Sequence, residues 1–272
     1  MKRIPKRKCP LKVKSSSPSS AAAPRSPHNA KRPFVLAHFA ITADGKISTR
    51  AFTPAQFTSR AYKRRLQETR AAADAVLAGR GTVEADNMSM GLSAKDLREA
   101  RNASGMPAVP LRVMVSNSGR VDLEGKVFRY SSSPLVVFST SRMPARLRAG
   151  VARRADLFLF PGKTVDLSGA LQILRADFGV KQLVCEGGGR LLRALAELDL
   201  VDGMRLTVAP RVFGGSSAPT LTGLPGDFLL PQREFRIIRQ SVEGDECLLD
   251  AVRCRRDDPL TISHFPFRIS HS

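Results

Sequence analysis

The chain has 272 residues, of which 42% are hydrophobic, and it carries 44 Lys and Arg against 24 Asp and Glu. This length suits one sizeable α/β domain, and no apolar run is long enough to cross a bilayer. The four cysteines lack the Cys-x-x-Cys spacing of zinc sites, so we expect neither a metal site nor a disulfide framework. A reducing, cytoplasmic environment is the simplest expectation.

The net charge of +20 is concentrated at the amino end. Residues 1–32 hold ten of the Lys and Arg, and no acidic residue precedes Asp44. Because this Ser-, Ala- and Pro-rich stretch cannot bury enough apolar surface to fold, we predict a disordered basic tail over residues 1–31. Three interpretations stay open: an RNA-binding arm, an organelle transit peptide, or a start placed too far upstream. No RNA-binding aromatic signature accompanies the charge, so a basic nucleic-acid-binding protein is the least favoured of the functions considered, and a nucleic-acid partner is not expected.

Strand and helix signals alternate after this tail. The first elements are a strand in "RPFVLAHFAIT", a helix in "TSRAYKRRLQETRAAAD" capped by Thr58 or Ser59, and a short buried strand in "AVLAG". A loop then leads to strands in "LRVMVS", "PLVVFST" and "DLFLF". An amphipathic helix follows in "SGALQILRADFGV" and ends at Gly179.

The carboxyl-terminal part begins with a strand and a helix joined by glycines in "LVCEGGGRLLRAL". Further β structure is predicted in "MRLTVAPRVFGG" and in a hairpin that turns at Gly244. The pattern indicates an α/β domain over residues 32–255, with a mostly parallel sheet, helices on both faces and an antiparallel C-terminal edge. The remaining residues 256–272 lack periodicity and are expected to form a loose tail.

Three stretches carry candidate chemistry at strand ends. The glycines after Glu186 allow backbone to approach a ligand, and the following helix start favours an anion, although a plain tight turn remains an alternative. Thr82 and Asp86 would share one face of a helical turn, where both could bind a polar ligand or act only as a cap and a first-turn acid. The Asp44-Gly45 pair is typical of a hairpin turn. His38 lies within a strand, and we interpret it as structural.

Taken in order, "RPFVLAHFAITADGKIS", "ADAVLAGRGTVEAD", "LRVMVSNSGRV" and "LVCEGGGRLLRALAELDLVDGMRLTVAPRVFGG" resemble successive blocks of the pyrimidine reductase family of riboflavin biosynthesis. The resemblance covers residues 32–253 and implies a dihydrofolate-reductase-like fold, NADPH as cofactor and a homodimer. It also implies reduction of a ribosylamino-pyrimidine 5′-phosphate to its ribitylamino form. The zinc-deaminase residues of the bifunctional relatives are missing. A same-fold reductase of a pterin or another heterocycle is the alternative.

The resemblance also implies roles for individual residues. Glu186 matches the family's substrate-binding carboxylate, and Arg64 matches a basic residue that contacts substrate. Lys46, beside the Asp44-Gly45 turn, is a candidate phosphate ligand or proton source, with a solvated surface lysine as the alternative. The residues expected to line the cofactor are Ala40, Thr82, Asp86, Asn117, Gly188, Gly189, Arg190 and Leu191, and Arg190 could pair with its 2′-phosphate.

Two departures from the family pattern affect the predicted site. Met88 and Met90 replace part of a polar surface that grips substrate in many family members. Ser116-Asn117 stands where members often have an Asp-Ser pair, which alters a hydrogen bond expected to reach the cofactor. Substrate identity is therefore less constrained by the sequence than fold or cofactor.

Overall fold

A computed structural model of the chain describes residues 31–48, 57–130, 132–223, 229, 231–254 and 267. The predicted amino-terminal tail, apart from Lys31, lies outside these residues. So does the predicted carboxyl-terminal tail, apart from Phe267, whose side chain is buried.

The described residues form a nine-stranded sheet with the order β5-β4-β3-β2-β6-β1-β7-β9-β8. All neighbouring strands run parallel from β5 to β7, whereas β9 is antiparallel to both β7 and β8. The predicted parallel sheet with an antiparallel C-terminal edge is therefore confirmed. The strands are β1 Phe34–Thr42, β2 Ala75–Gly79, β3 Leu111–Ser116, β4 Leu135–Thr140, β5 Asp156–Phe160, β6 Gln182–Gly187, β7 Gly203–Ala209, β8 Phe235–Glu243 and β9 Glu246–Arg253.

Helices cover both faces of this sheet. On one face, apolar side chains of α6 and α7 pack on β1, β2 and β6, and on the other face the core includes side chains from α2, α4 and α5. None of the described helices combines the length and apolarity needed to span a membrane. The helices are α1 Arg60–Ala72, α2 Arg80–Ala85, α3 Lys95–Ala103, α4 Lys126–Arg129, α5 Ala145–Ala152, α6 Leu167–Asp177 and α7 Gly189–Glu197.

The predicted caps and turns of several elements are confirmed. Ser59 caps α1, since its hydroxyl accepts a hydrogen bond from the Tyr62 N–H at 3.0 Å. Gly179 has a φ of +67° just after α6, and Gly244 has a φ of +60° in the β8–β9 turn. The loop predicted before β3 is wrong in part, because α3 forms there. Its sequence, KDLREARNA, has only one large aliphatic residue and so lacks the apolar spacing that indicates a helix.

Candidate functional site

The three sequence motifs meet at one edge of the sheet. The Asp44-Gly45 turn follows β1, Thr82 lies in α2 directly after β2, and the glycine turn follows β6. Because β2, β6 and β1 are adjacent and parallel, their carboxyl ends open on the same side. Ligands of open α/β sheets bind at such an edge, so the position of these motifs is that of a binding site.

The glycine turn packs directly against Thr82. A Cβ atom placed on Gly187 would lie 2.5 Å from Cγ2 of Thr82, which no side chain tolerates. Gly188 has a φ of +91°, a conformation that L side chains rarely adopt. Glycine is therefore required at these two positions by close approach and by backbone geometry.

Helix α7 begins at the glycine turn. Gly188 occupies the N-cap position, where no side-chain cap hydrogen bond is made to the helix. Gly189 is buried, Arg190 is exposed beside it, and Leu191 packs into the core. Backbone N–H groups at a helix start, together with a neighbouring guanidinium, suit a phosphate group.

Residues 218–223 connect this turn to Lys46. Thr220 forms an isolated antiparallel bridge with Lys46 and another with Gly223. A Cβ atom on Gly189 would lie 2.4 Å from the backbone nitrogen of Gly223, so the two backbones are in close contact. The Lys46 ammonium nitrogen lies 3.5 Å from the carbonyl oxygen of Ala218, and its side chain is half-buried. Lys46 thus lies between the first motif and the segment that contacts the third.

The Asp44 carboxylate organises the first motif. It accepts a hydrogen bond from the Thr42 hydroxyl, and it also accepts backbone N–H bonds from Phe213 at 3.1 Å and Gly214 at 2.7 Å. These bonds lower the pKa of Asp44 to about 2, the Thr42 hydroxyl having the largest effect. Asp44 therefore links the loop after β7 to the turn after β1 through hydrogen bonds, which is a structural role.

Glu186 is placed by an irregularity in the sheet. The register between β2 and β6 pairs Leu77 with Cys185 and then Ala78 with Gly187, so Glu186 is the additional residue of a β-bulge. Bulges redirect side chains and are frequent next to active sites. The Glu186 side chain is 3% exposed and turns towards α1. This bulge has no signature in the sequence.

Arg70, in the last turn of α1, is the partner of Glu186. Its Nε and Nη2 atoms each donate to one carboxylate oxygen at 2.6 Å, while Nη1 donates to the Gly91 carbonyl at 2.7 Å. The Arg70 side chain is 9% exposed. A bidentate pair of this kind fixes the orientation of the carboxylate. This site also affects the Tyr62 phenol. Burial raises the pKa of that phenol most, and the negative charge of Glu186 raises it further.

Sequence reasoning missed Arg70 and selected Arg64, six residues earlier on the same helix. Arg64 is exposed and pairs with Glu68 at 2.9 Å and Asp96 at 2.6 Å. Its role in substrate binding remains a prediction. The available signal was the position of Arg70 at the carboxyl end of the helix, immediately before the buried β2 strand, where a long basic side chain can reach β6.

The other predicted residues make local contacts. Ala40 is buried with Phe57 in a small cluster, and Asp86 is exposed at the end of α2, where its N–H donates to the Thr82 carbonyl at 3.0 Å. The Asn117 side-chain oxygen accepts from the Val165 N–H at 2.9 Å. Met90 is buried in the core rather than lining the edge.

The chain is an α/β protein whose candidate site places a glycine-rich turn at a helix start beside a buried carboxylate–guanidinium pair. Residues 33–241 match the family described as the RibD C-terminal domain, and the chain belongs to that family. The resemblance to pyrimidine reductases is thereby confirmed.

Relatives of this family share most of their length with the chain. The 2,5-diamino-6-ribosylamino-4(3H)-pyrimidinone 5′-phosphate reductase of Archaeoglobus fulgidus is 33% identical, over 78% of this chain and 95% of its own. The protein of the same name from Methanothermobacter thermautotrophicus is 31% identical, over 80% and 97%. A reductase family implies a nicotinamide cofactor.

Solved structures agree with the fold. A pyrimidine reductase-like protein from Corynebacterium diphtheriae superposes with a TM-score of 0.72 at 20% identity, over 82% of this chain and 92% of its own. RibD from Acinetobacter baumannii gives a TM-score of 0.68 at 21% identity, over 83% and 59%. These similarities establish the architecture only.

Proposed function

We propose that this chain is an NADPH-dependent reductase that converts 2,5-diamino-6-ribosylamino-4(3H)-pyrimidinone 5′-phosphate to its ribitylamino product in riboflavin biosynthesis. The observation that carries the proposal is the buried Glu186–Arg70 pair beside the glycine turn, at the carboxyl edge of the sheet. The names of the relatives at 31–33% identity support the same substrate.

The residues at the edge fit a dinucleotide cofactor. The start of α7 has no side-chain cap, and its glycines let the backbone pack closely on Thr82 and Gly223. Backbone N–H groups at such a helix start suit a phosphate. Arg190 is placed to favour the additional phosphate of NADPH over NADH. Ala40, Asp86, Asn117 and Leu191 are retained as proposed cofactor neighbours.

A bound nicotinamide supplies the hydride that the reduction requires. The protein binds the substrate base through Glu186 and keeps this carboxylate oriented through Arg70. Lys46, which bridges to Thr220 in the segment packed on the glycine turn, is proposed to hold the substrate phosphate or to donate the proton that accompanies opening of the sugar. Arg64 is retained as a proposed substrate contact from the α1 surface.

The carboxylate of Glu186 favours a substrate that keeps its 2-amino group. The 2-amino group and the neighbouring ring N–H form two adjacent donors. Each Glu186 oxygen already accepts from Arg70, and its second lone pair can accept one of these donors. In the 2-oxo counterpart a carbonyl oxygen would face one of these oxygens, which is repulsive. We therefore favour the non-deaminated pyrimidine.

We also propose a homodimer. Its interface is the face of the edge strand β8 that carries exposed apolar side chains. The register between β8 and β9 shifts between Ile237 and Arg239, and as a result Ile237 and Val242 project to the same face. These side chains are 53% and 75% exposed. Met204 and Leu206 of β7 are half-buried on this face. An apolar strip of this kind, at a sheet edge, suits a second copy of the chain.

We further propose a cytoplasmic location, or an organelle if residues 1–31 act as a transit peptide. The four cysteines lack the spacing of a disulfide framework, which suits a reducing compartment.

The proposal is tested by mixing the purified chain with NADPH and either the 2,5-diamino substrate or its 2-oxo counterpart. We expect oxidation of NADPH with the 2,5-diamino compound, a product two hydrogens heavier by mass spectrometry, and a lower kcat/KM with the 2-oxo compound. Oxidation with neither compound would refute the function. Faster turnover of the 2-oxo compound would refute only the choice of substrate.

A further inference from the structure

Phe267 lies outside residues 33–241, which match the family, yet its side chain is only 1% exposed. It belongs to the apolar cluster that includes Leu36 of β1 and Val252 of β9. Its ring centroid lies 6.1 Å from that of Phe34, at the start of β1. A residue close to the carboxyl terminus therefore forms part of the core of the domain.

Arg205 of β7 is a polar partner of Phe267. Its Nη2 atom donates to the Phe267 carbonyl oxygen at 3.0 Å and to the Asp250 carboxylate at 3.1 Å, and Nε donates to the same carboxylate at 2.7 Å. Its Nη1 atom donates to the Thr69 hydroxyl oxygen at 2.9 Å. Because the Arg205 side chain is 5% exposed, these donors depend on the protein for their acceptors. One buried guanidinium thus joins β9, α1 and Phe267.

Thr69 connects this guanidinium to the candidate site. It lies in the last turn of α1, and the next residue, Arg70, donates to both carboxylate oxygens of Glu186. Loss of the Phe267 carbonyl would leave a buried guanidinium N–H without that acceptor, which is unfavourable until the structure adjusts. Any movement of Arg205 towards another acceptor acts on its hydrogen bond to Thr69, and so on the part of α1 that orients Glu186.

We propose that Phe267 is a positioning residue for substrate binding, which acts through Arg205 and the last turn of α1 on the Glu186–Arg70 pair. This proposal rests on the proposed function and deepens it, because it makes the orientation of the substrate carboxylate depend on a residue outside the matched family domain. Burial of the apolar ring holds the Phe267 carbonyl at Arg205, so side chain and carbonyl act together. The glycine turn belongs to another helix, α7, and cofactor binding should therefore not depend on this link.

The first test is amide hydrogen exchange of the full chain, measured by mass spectrometry. In Phe267→Ala we expect exchange in the last turn of α1 to become at least about tenfold faster than in the wild type. Phe158→Ala is the matched control, since Phe158 also packs on the core but lies in β5, at the far edge of the sheet from β7. Exchange in α1 should be unchanged in that variant. An equal rise in the two variants, or no rise in a folded Phe267→Ala, would overturn the proposal.

The second test is a double-mutant cycle in turnover. Thr69→Val removes the α1 acceptor of Arg205 while it keeps the shape of the side chain, and Phe267→Ala removes the buried ring. Each variant should raise KM for the 2,5-diamino substrate about tenfold, with kcat within about threefold and the Kd for NADPH unchanged. Phe267→Leu, which keeps an apolar side chain, should have a KM within about threefold of the wild type.

The double variant Thr69→Val/Phe267→Ala should have the KM of Phe267→Ala alone, because both changes break the same link. A KM raised by the product of the two single effects would contradict the proposal. If Phe267→Ala fails to fold, wild-type KM and wild-type α1 exchange in Thr69→Val would overturn it instead. Absence of wild-type turnover would count against the proposed function, whereas the exchange measurement still decides the role of Phe267.

Discussion

At the scale of single residues, the Glu186–Arg70 pair has the largest expected effect on stability. Both side chains are buried, so Arg70→Met would leave an uncompensated carboxylate and should lower the free energy of unfolding by about 3–5 kcal/mol. The double variant Arg70→Met/Glu186→Gln should recover part of this loss. Urea denaturation measures both. Arg64→Met is the matched control on the same helix, and only a small loss is expected because its ion pairs are exposed.

A similar loss in Arg64→Met and Arg70→Met would contradict this assignment of the buried pair. The Glu186 position was predictable from its strand-to-helix motif. For Arg70 the only sequence signal was its position at the end of α1, because its role arises from a β-bulge and from a contact between residues 116 positions apart in the chain.

His38 should make stability depend on pH. Its folded-state pKa is lowered by burial and then by Arg205, Arg65 and Arg70, whereas the unfolded chain binds a proton as the pH falls through about 6.5. The unfolded state therefore binds more protons in acid, and this residue should reduce stability by up to about 1.4 kcal/mol per pH unit below that value. His38→Gln removes the effect. The free energy of unfolding is measured for both proteins at pH 7.5 and 5.5. On going to pH 5.5, the variant should become more stable relative to the wild type. An unchanged difference would show that His38 is protonated in the folded protein.

At the scale of elements, the glycine turn should tolerate no added methyl group at Gly189. A Cβ there would meet the Gly223 backbone at 2.4 Å, so Gly189→Ala should cost about 1–3 kcal/mol and weaken NADPH binding. Gly81→Ala in α2 is the control, because no described atom lies within 4 Å of its Cβ position. That variant should gain about 0.4–1 kcal/mol. Thermal unfolding and a fluorescence titration with NADPH test these expectations, which fail if both variants behave alike.

Elements with clear periodicity or turn residues were predictable, and those without either were not. The β1 strand, the α6 helix and the β8–β9 hairpin follow from apolar patterns bounded by glycine or polar caps. The α3 helix was missed because charge and small residues dominate it, and α5 was not predicted for the same reason. The meeting of three motifs at one edge followed from strand parallelism, but the Gly189–Gly223 contact depends on tertiary packing.

At the scale of the whole molecule, the apolar strip on β8 should control assembly. Replacing Ile237 and Val242 by Asp places charge in the proposed interface and should convert a dimer to a monomer. Leu198→Asp is the control, since Leu198 is 52% exposed but lies just after α7. Sedimentation analysis distinguishes the two states. A wild-type monomer, or a dimer that persists in the double variant, would refute this interface.

The central claim is that Glu186 binds the substrate of an NADPH-dependent reductase. The most direct measurement is single-turnover reduction of 2,5-diamino-6-ribosylamino-4(3H)-pyrimidinone 5′-phosphate by the full chain and by Glu186→Gln, with the affinity for NADPH measured in parallel. We predict that the wild type forms a product two hydrogens heavier and that Glu186→Gln forms it at least about 100-fold more slowly, with NADPH affinity unchanged. Equal rates in the two proteins, or no product from the wild type, would contradict the account.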